Sequence, residues 1–383
     1  MASVTSRQLY FVVGEPSGDV LGAAVLSALN ADERGLVQPL GLGGRQLQAA
    51  GLQSLFEIDR LSVMGFGPVI ARLPDLLKRV KTVVADILAK RPDAVLLIDS
   101  PEFCALVAKR VRKRAPDIPI IKYVCPSVWA WRPGRAAKMA SYIDHVLCLL
   151  PFEPEALARL GGPPGTYVGH PLSTSMAEWR AQTTNSLEDE KPIELLLLPG
   201  SRRSEIERSL PAFLSVAEQV SESRAVHLTL PTLEKREQLV RDLLAQSRLP
   251  VDVVVGEEAR LNAMRHAHAA LATSGTISLE LALARVPHAI FYRTAGLDRL
   301  ATPFITSWSV NLPNLILDEP VVPECVGDHA KLDRLMRELK ALLADNHARR
   351  SQADAFSRLW ERVETAKPPA ELAADALRQA ANL

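Results

Sequence analysis

Leu9-Tyr10-Phe11-Val12-Val13 runs straight into Gly14-Glu15-Pro16-Ser17-Gly18-Asp19 and on to Leu21-Gly22-Ala23. Five apolar residues with no alternation read as a strand buried on both faces, and the turn bracketed by glycines opens a helix. The same unit recurs outward from this point. Apolar runs stand at residues 94–98, 118–124, 145–149 and 166–168, with helical spacing between them, as over 74–90 and 102–114. Buried strands alternating with helices predict a parallel sheet covered on both faces. From Ser173 to Lys191 the chain turns polar and ends in the acidic run Glu188-Asp189-Glu190. The strand pattern then restarts at 193–198, 225–230, 251–255, 269–272 and 288–292, and a helical tail, broken by Lys367-Pro368-Pro369, follows Lys331. The predicted organisation is α/β, with two doubly wound Rossmann-like domains over 1–172 and 192–345, a linker over 173–191 and a helical tail over 346–383. Two such domains facing across a cleft would bind ligands outside the carboxyl ends of their strands.

Composition agrees. At about 150 residues per domain, 383 residues suit two or three domains. With 48% hydrophobic and 23% charged residues, disordered and collagen-like chains are excluded. Lys+Arg (45) balances Asp+Glu (44), which removes the basic excess expected of a nucleic-acid protein. The charge is uneven, +5 over residues 1–175 and −4 beyond, so the first half could face anionic lipid or phosphate. Cys104, Cys125, Cys148 and Cys325 form no CxxC pair, and His266 and His268 sit two apart on different helix faces; neither a disulfide framework nor a metal site is expected. No apolar run approaches the ~18 residues of a membrane span. The polar Met1–Arg7 segment leads into a strand, not a signal peptide.

The candidate site residues stand at the predicted strand ends. The 14–19 turn lacks G-x-G-x-x-G and Gly-Lys-Ser/Thr, so it is neither a dinucleotide fingerprint nor a P-loop. Its free N–H groups could hold an anion or a sugar hydroxyl, or Asp19 could simply serve the helix start. Asp99 follows the run 94–98 at the tip of a strand, where a general base is held rigidly; the competing reading is a cap for the next helix. Trp129 and Trp131, two apart in a segment read as extended, would share one side and line an apolar or sugar-facing wall, unless one of them is core. In the second half, Gly200-Ser201-Arg202-Arg203 offers backbone N–H groups, a hydroxyl and guanidiniums to a diphosphate, with Arg203 the one that could be merely solvated. Ser274-Gly275-Thr276 repeats the design, and Glu280 could accept from a ribose diol but is costly in an apolar helix unless paired or exposed. The amides of Asn311 and Asn314 could read a pyrimidine or hold their loop. Residues 61–81 combine Val63, Met64, Phe66, Val69 and Ile70 with Arg72, Lys78, Arg79 and Lys81; they fit a bilayer interface or an acyl chain, or ordinary helix burial.

Taken together, these motifs resemble the lipid-A-disaccharide synthase family: Gly14-Glu15-x-Ser17-Gly18-Asp19, Ile98-Asp99-x-Pro101-x-Phe103, Pro126-Ser127-Val128-Trp129-Ala130-Trp131-Arg132, Leu150-Pro151-Phe152-Glu153, Gly169-His170-Pro171, Leu198-Pro199-Gly200-Ser201-Arg202, Ser274-Gly275-Thr276-x-x-Leu279-Glu280 and Leu312-Pro313-Asn314-Leu315-Ile316. They run in order over residues 10 to 325. Cys104 stands where the family usually has Asn, and Ser173-Thr174 where an Asp is common. The resemblance implies a GT-B glycosyltransferase that inverts configuration, without a metal or other cofactor, peripheral on the cytoplasmic face of the inner membrane of a bacterium with an outer membrane. Its substrates would be UDP-2,3-diacylglucosamine and 2,3-diacylglucosamine 1-phosphate, with no nucleic-acid partner; a homodimer is compatible. On this view Asp99 is the base and Arg202 stabilises departing UDP. Gly200, Ser201, Ser274, Gly275, Thr276, Glu280 and Asn314 surround the nucleotide, while Glu15, Ser17, Gly18, Asp19, Trp129 and Trp131 line the acceptor side. The competing expectations are another UDP-sugar enzyme of this fold, such as a UDP-N-acetylglucosamine 2-epimerase, and a non-enzymatic nucleotide-binding membrane adaptor.

Overall fold

The computed structural model describes residues 6–31, 36–58, 69–181, 185, 187, 191–292, 306–326, 332–344 and 347–383, with backbone only over 69–73. The chain divides into two units, one comprising residues up to Pro171 together with Thr365–Leu383, the other Leu172–Glu364.

The first unit is built from β1 (Arg7–Val13), α1 (Pro16–Asn30), β2 (Val37–Leu42), α2 (Arg45–Ala49), α3 (Val69–Lys90) and β3 (Ala94–Ile98). It continues through α4 (Pro101–Arg114), β4 (Ile120–Tyr123), α5 (Gly134–Met139), β5 (His145–Cys148), α6 (Glu153–Arg159) and β6 (Gly165–Tyr167). All strand pairs are parallel, in the order β2-β1-β3-β4-β5-β6. Every residue of β3 is buried. The two faces of the sheet feed separate cores: Tyr10, Val12 and Leu97 pack with α3 and α4, while Leu9, Phe11, Val13 and Ile98 pack with α1. β4 is shorter than the apolar run 118–124 because Pro119 has no N–H to donate and Val124, at φ +70°, turns out of the sheet.

The second unit contains α7 (Leu172–Ser175), β7 (Ile193–Leu198), α8 (Arg203–Ser221), β8 (Val226–Thr232), α9 (Glu237–Leu244), β9 (Val251–Val255) and α10 (Glu257–His266). After these come β10 (Ala269–Ala272), α11 (Thr276–Leu283), β11 (His288–Tyr292), α12 (Leu312–Leu317), β12 (Glu324–Val326), α13 (Leu332–Leu342) and α14 (His347–Val363). Its sheet is parallel as well, ordered β12-β11-β10-β7-β8-β9.

Both strand orders reverse direction once. In the first unit the reversal separates β1 from β3, which pair from Leu9↔Ala94 to Val13↔Ile98. In the second it separates β7 from β10, paired to Leu198↔Ala272. Connections leave such a point toward opposite faces and open a crevice at the strand ends. The turns singled out in the sequence, at 14–19 and 99–100 and at 199–202 and 273–276, follow these four strand ends.

The stretch 346–383, expected as one tail, serves both units. α14 stays with the second unit, and α15 (Pro369–Ala381) returns to the first. There Ala373, Ala374, Leu377 and Ala381 join the core beneath α1, and the buried Arg378 donates from Nη2 to the Leu29 carbonyl at 2.5 Å. The apolar spacing of 373–381 matches a helix that needs a partner sheet. Leu377 is wholly buried. Leu377→Ala should therefore cost about 2–5 kcal/mol in the first unit's urea transition, read by circular dichroism. The second unit's transition should not move.

Candidate active site

In the first unit the strand tip at Ile98 is followed by two consecutive residues in left-handed conformation, Asp99 at φ +52° and Ser100 at φ +38°. Neither is glycine, and each such residue stores strain, a feature concentrated at functional sites. The surroundings are shaped for this corner. A Cβ on Gly14 would lie 1.8 Å from Ser100 Oγ, and one on Gly18 would lie 2.7 Å from Asp99 Oδ2. The two glycines that read as an anion cradle thus make room for the neighbouring strand tip. The N-cap of α4 is Ser100, whose side chain makes no capping bond. Asp99 is not the cap; its Oδ2 accepts a hydrogen bond from Ser17 Oγ at 3.3 Å. Burial raises its carboxyl above the ordinary range, opposed by the Lys122 charge and the Ser17 bond. A carboxylate with a raised pKa and one weak hydrogen bond is suited to accept a proton.

Lys122 escaped the sequence reading. It lies in β4 with 2% of its surface exposed, and its Nζ donates to the Asp99 carbonyl at 2.6 Å and toward the Leu97 carbonyl at 3.5 Å. The available signal was a single lysine inside an otherwise apolar strand.

Other acceptor-side expectations divide. Glu15 is the half-buried N-cap of α1, and Ser17 is exposed. Asp19 is committed elsewhere: 3% exposed, it accepts from the N–H groups of Gly44 and Gln46, each at 2.7 Å, and of Leu47 at 3.3 Å. It caps α2, and both of its carboxylate oxygens are engaged there. The segment around Trp129 and Trp131 is a turn, not extended chain, because the N–H groups of Ala130 and Trp131 both reach the Ser127 carbonyl at 3.0 Å. The two indoles have different neighbours. Trp129 meets Phe152 edge-on at 5.0 Å and donates to Glu153 Oε1 at 3.2 Å, while Trp131 carries the Arg132 guanidinium 4.3 Å above its ring.

Glu153 is a second buried acid that the sequence reading left without a role. Its Oε2 accepts from Leu149 N and Leu150 N, both at 3.0 Å, and burial pushes its pKa up to about 7. Among the described residues it forms, with Cys125 and Cys148, a buried group whose ligand atoms lie within 4.8 Å of one another. Three N–H donors already engage that carboxylate, so it serves the loop after β5.

In the second unit, Gly200 at φ +107° turns the chain from β7 into α8. A side chain there would strike Glu205, 2.7 Å away. Glu205 Oε2 accepts from Ser201 N and Arg202 N at 3.2 and 3.1 Å, and its Oε1 pairs with Arg202 Nη1 at 2.6 Å. The backbone donors expected for a diphosphate are therefore engaged by an internal carboxylate, and the exposed Arg202 guanidinium is what the turn presents. Arg203 is solvated and pairs with Glu207. At the adjoining strand end, Ser274 Oγ donates to the Val310 carbonyl at 2.6 Å, and Gly275, at φ +138°, is the N-cap of α11, which starts at Thr276. Glu280 is 8% exposed and paired with Arg260 from α10, which satisfies the condition its apolar helix imposes. Asn314 holds its loop: Nδ2 donates to the Val322 carbonyl and Glu324 Oε1 at 2.9 and 3.0 Å, and Oδ1 accepts from Val322 N at 2.7 Å. Only 2% of its surface is exposed.

Of the proposed membrane residues, Val63, Met64 and Phe66 lie outside the described residues, as do the side chains of Val69, Ile70 and Arg72. Lys78 and Lys81 point outward from α3, and Arg79 pairs with Asp75 and lies 5.0 Å over the Phe56 ring. Among the described residues no helix is long and apolar enough to cross a membrane.

Comparison with known proteins places the chain. The family model described as lipid-A-disaccharide synthetase matches residues 9–375. A lipid-A-disaccharide synthase of Bradyrhizobium diazoefficiens is 42% identical over 374 residues, covering 96% of this chain and 95% of the relative. Among solved structures, the UDP-GlcNAc 2-epimerase of Methanocaldococcus jannaschii in complex with UDP-GlcNAc and UDP aligns with TM-score 0.58 at 12% identity, over 97% of this chain and 99% of that one. MurG of Acinetobacter baumannii aligns with TM-score 0.57 at 16% identity, over 98% and 99%. These structural likenesses speak for the fold alone, which is GT-B. The match along nearly the whole chain, to the family model and to a relative at 42% identity, makes this protein a member of the lipid-A-disaccharide synthetase family.

Proposed function

We propose that this protein transfers 2,3-diacylglucosamine from its UDP derivative to 2,3-diacylglucosamine 1-phosphate, giving the β-1′,6-linked disaccharide of lipid A and UDP. The observation that carries the reading is the family match over residues 9–375 together with Asp99 standing at the β1/β3 reversal. The acceptor's 6-hydroxyl attacks the anomeric carbon from the side opposite the diphosphate, so configuration inverts. Its proton goes to Asp99, whose half-buried carboxylate is the stronger base for it. The bond to the diphosphate breaks, and the charge gathering on departing UDP is met by the Arg202 guanidinium and the positive N-terminal end of α11. Glu280, fixed by Arg260, takes the ribose. Cationic and dipolar stabilisation of this kind needs no metal.

Both substrates carry acyl chains, so the enzyme works at a membrane surface, and we place it on the cytoplasmic face of the inner membrane. Residues 61–81 are the proposed contact, with apolar side chains inserting and Lys78 and Lys81 meeting anionic headgroups.

The direct test is incubation of the protein with the two acylated substrates and detection of the disaccharide by mass spectrometry. Activity only on water-soluble UDP-N-acetylglucosamine would favour an epimerase instead. Asp99→Asn should lower turnover by roughly 10²- to 10⁴-fold with UDP affinity retained by calorimetry; a near-normal rate would reduce Asp99 to a structural residue. Arg202→Ala should weaken UDP binding and slow transfer together, with chelator leaving the wild-type rate unchanged. Restoration of a chelated enzyme by magnesium would contradict the metal-free reading. Replacing Met64, Phe66 and Ile70 by Ser should reduce sedimentation with anionic vesicles and raise the KM for acylated substrates without altering UDP affinity. Unchanged vesicle binding and KM would move the membrane face elsewhere.

A further inference from the structure

Lys122 is hard to account for as packing. It sits in a central strand among Leu97, Val128, Tyr142 and the Cys104 thiol, where a methionine would fill the same space without desolvating an ammonium. Its contacts are specific. The strand β3 ends at Ile98, and beyond it the Asp99 carbonyl has left the β-ladder; Lys122 Nζ supplies a donor to that carbonyl at 2.6 Å and approaches the Leu97 carbonyl at 3.5 Å. The carbonyl so held belongs to the first of the two left-handed residues at the strand tip.

We propose that Lys122 is a positioning residue for Asp99: its ammonium pins the left-handed corner that aims the carboxylate, and its charge compensates that of the half-buried acid. The proposal rests on the reading of Asp99 as the base. The electrostatics agree with the geometry. Burial alone would raise the Asp99 carboxyl, and the Lys122 charge pulls it back, assisted by Ser17 from α1. Burial lowers the Lys122 ammonium in turn, and Asp99, Glu15 before α1, Cys104 from α4 and Cys125 beyond β4 act against that. Tyr123, on the same strand, is pushed up by its own burial and by Asp99. Asp99 and Lys122 thereby each oppose the burial that disfavours the other's charged form.

The two contributions separate by substitution. Lys122→Gln keeps a donor for the Asp99 carbonyl but no charge; Lys122→Met keeps neither. Both should move the acid limb of the kcat/KM profile to higher pH, by about one unit, because Asp99 loses its opposing charge. The Met variant should also lose roughly 10- to 100-fold in plateau kcat, and the Gln variant less, since only Met frees the corner. UDP affinity, a property of the other unit, should be unchanged in both, and the first unit's urea transition by circular dichroism reports folding. A lowered plateau with an unmoved acid limb would make Lys122 merely structural, and wild-type behaviour of Lys122→Met would overturn the proposal outright. If the Met variant fails to fold, the Gln variant decides through the double variant Asp99→Asn/Lys122→Gln. It should be no slower than Asp99→Asn alone, and an undiminished further loss would contradict the coupling. A near-normal rate for Asp99→Asn by itself would instead remove the underlying reading of Asp99.

Discussion

The parallel pairing that ends at Val13 beside Ile98 is the constraint on which the first unit depends. In a parallel sheet all strands end at one edge, and at the reversal of strand order the neighbouring connections part to opposite faces. Whatever follows those two strands is therefore held close together, by hydrogen bonds remote from the loops themselves. Here the follow-on residues are a glycine turn and an acid in a strained backbone conformation, and each needs the other: Gly14 and Gly18 are vacant where the Asp99–Ser100 corner intrudes. The second unit repeats the device between β7 and β10, with Gly200 cleared for Glu205. The two cores, with α15 closing one face of the first sheet, serve to keep these strand ends in register.

Charge at these sites is compensated within each unit rather than left open. Asp99 is balanced by Lys122, Glu280 by Arg260, and Glu205 by the N–H groups and guanidinium of its own helix start. A buried ion without a partner would cost several kcal/mol, a large share of the margin of stability of an ordinary domain. The sites are thus assembled from compensated pairs, and the chemistry available to each is set by how completely its partner satisfies it. Asp99, with one hydrogen bond at 3.3 Å, is left reactive; Asp19, with three from α2, is not.

That contrast marks how far the sequence could be read. The strands, their parallel order in two doubly wound units, and the placement of Asp99, Arg202 and Ser274-Gly275-Thr276 after strand ends all follow from apolar runs and the turns that end them, because those signals are local. Asp19 and Asp99 look alike locally; what separates them is Gly44, Gln46 and Leu47, which reach Asp19 only in three dimensions. Asn314 likewise offered two roles until Val322 and Glu324 took up its amide. The partner of Glu280 comes from another helix, and the split of the tail between units depends on which sheet lacked cover. The tryptophans were misjudged by a turn that their spacing does not encode. Lys122 was legible as an anomaly, a charge in an apolar strand, but its use required knowing which carbonyl lay beside it.

The central claim is that Asp99 is a base whose hold on a proton is strengthened by partial burial and tempered by Lys122 and Ser17, and direct titration addresses it. Protein carrying ¹³C-labelled aspartate carboxyls, with Asp99 assigned through the spectrum of Asp99→Asn, reports that group's ionisation by NMR. The account predicts a midpoint above the ordinary aspartate value of about 3.9 that coincides with the acid limb of kcat/KM. An ordinary midpoint, or a limb that titrates independently of it, would contradict the account.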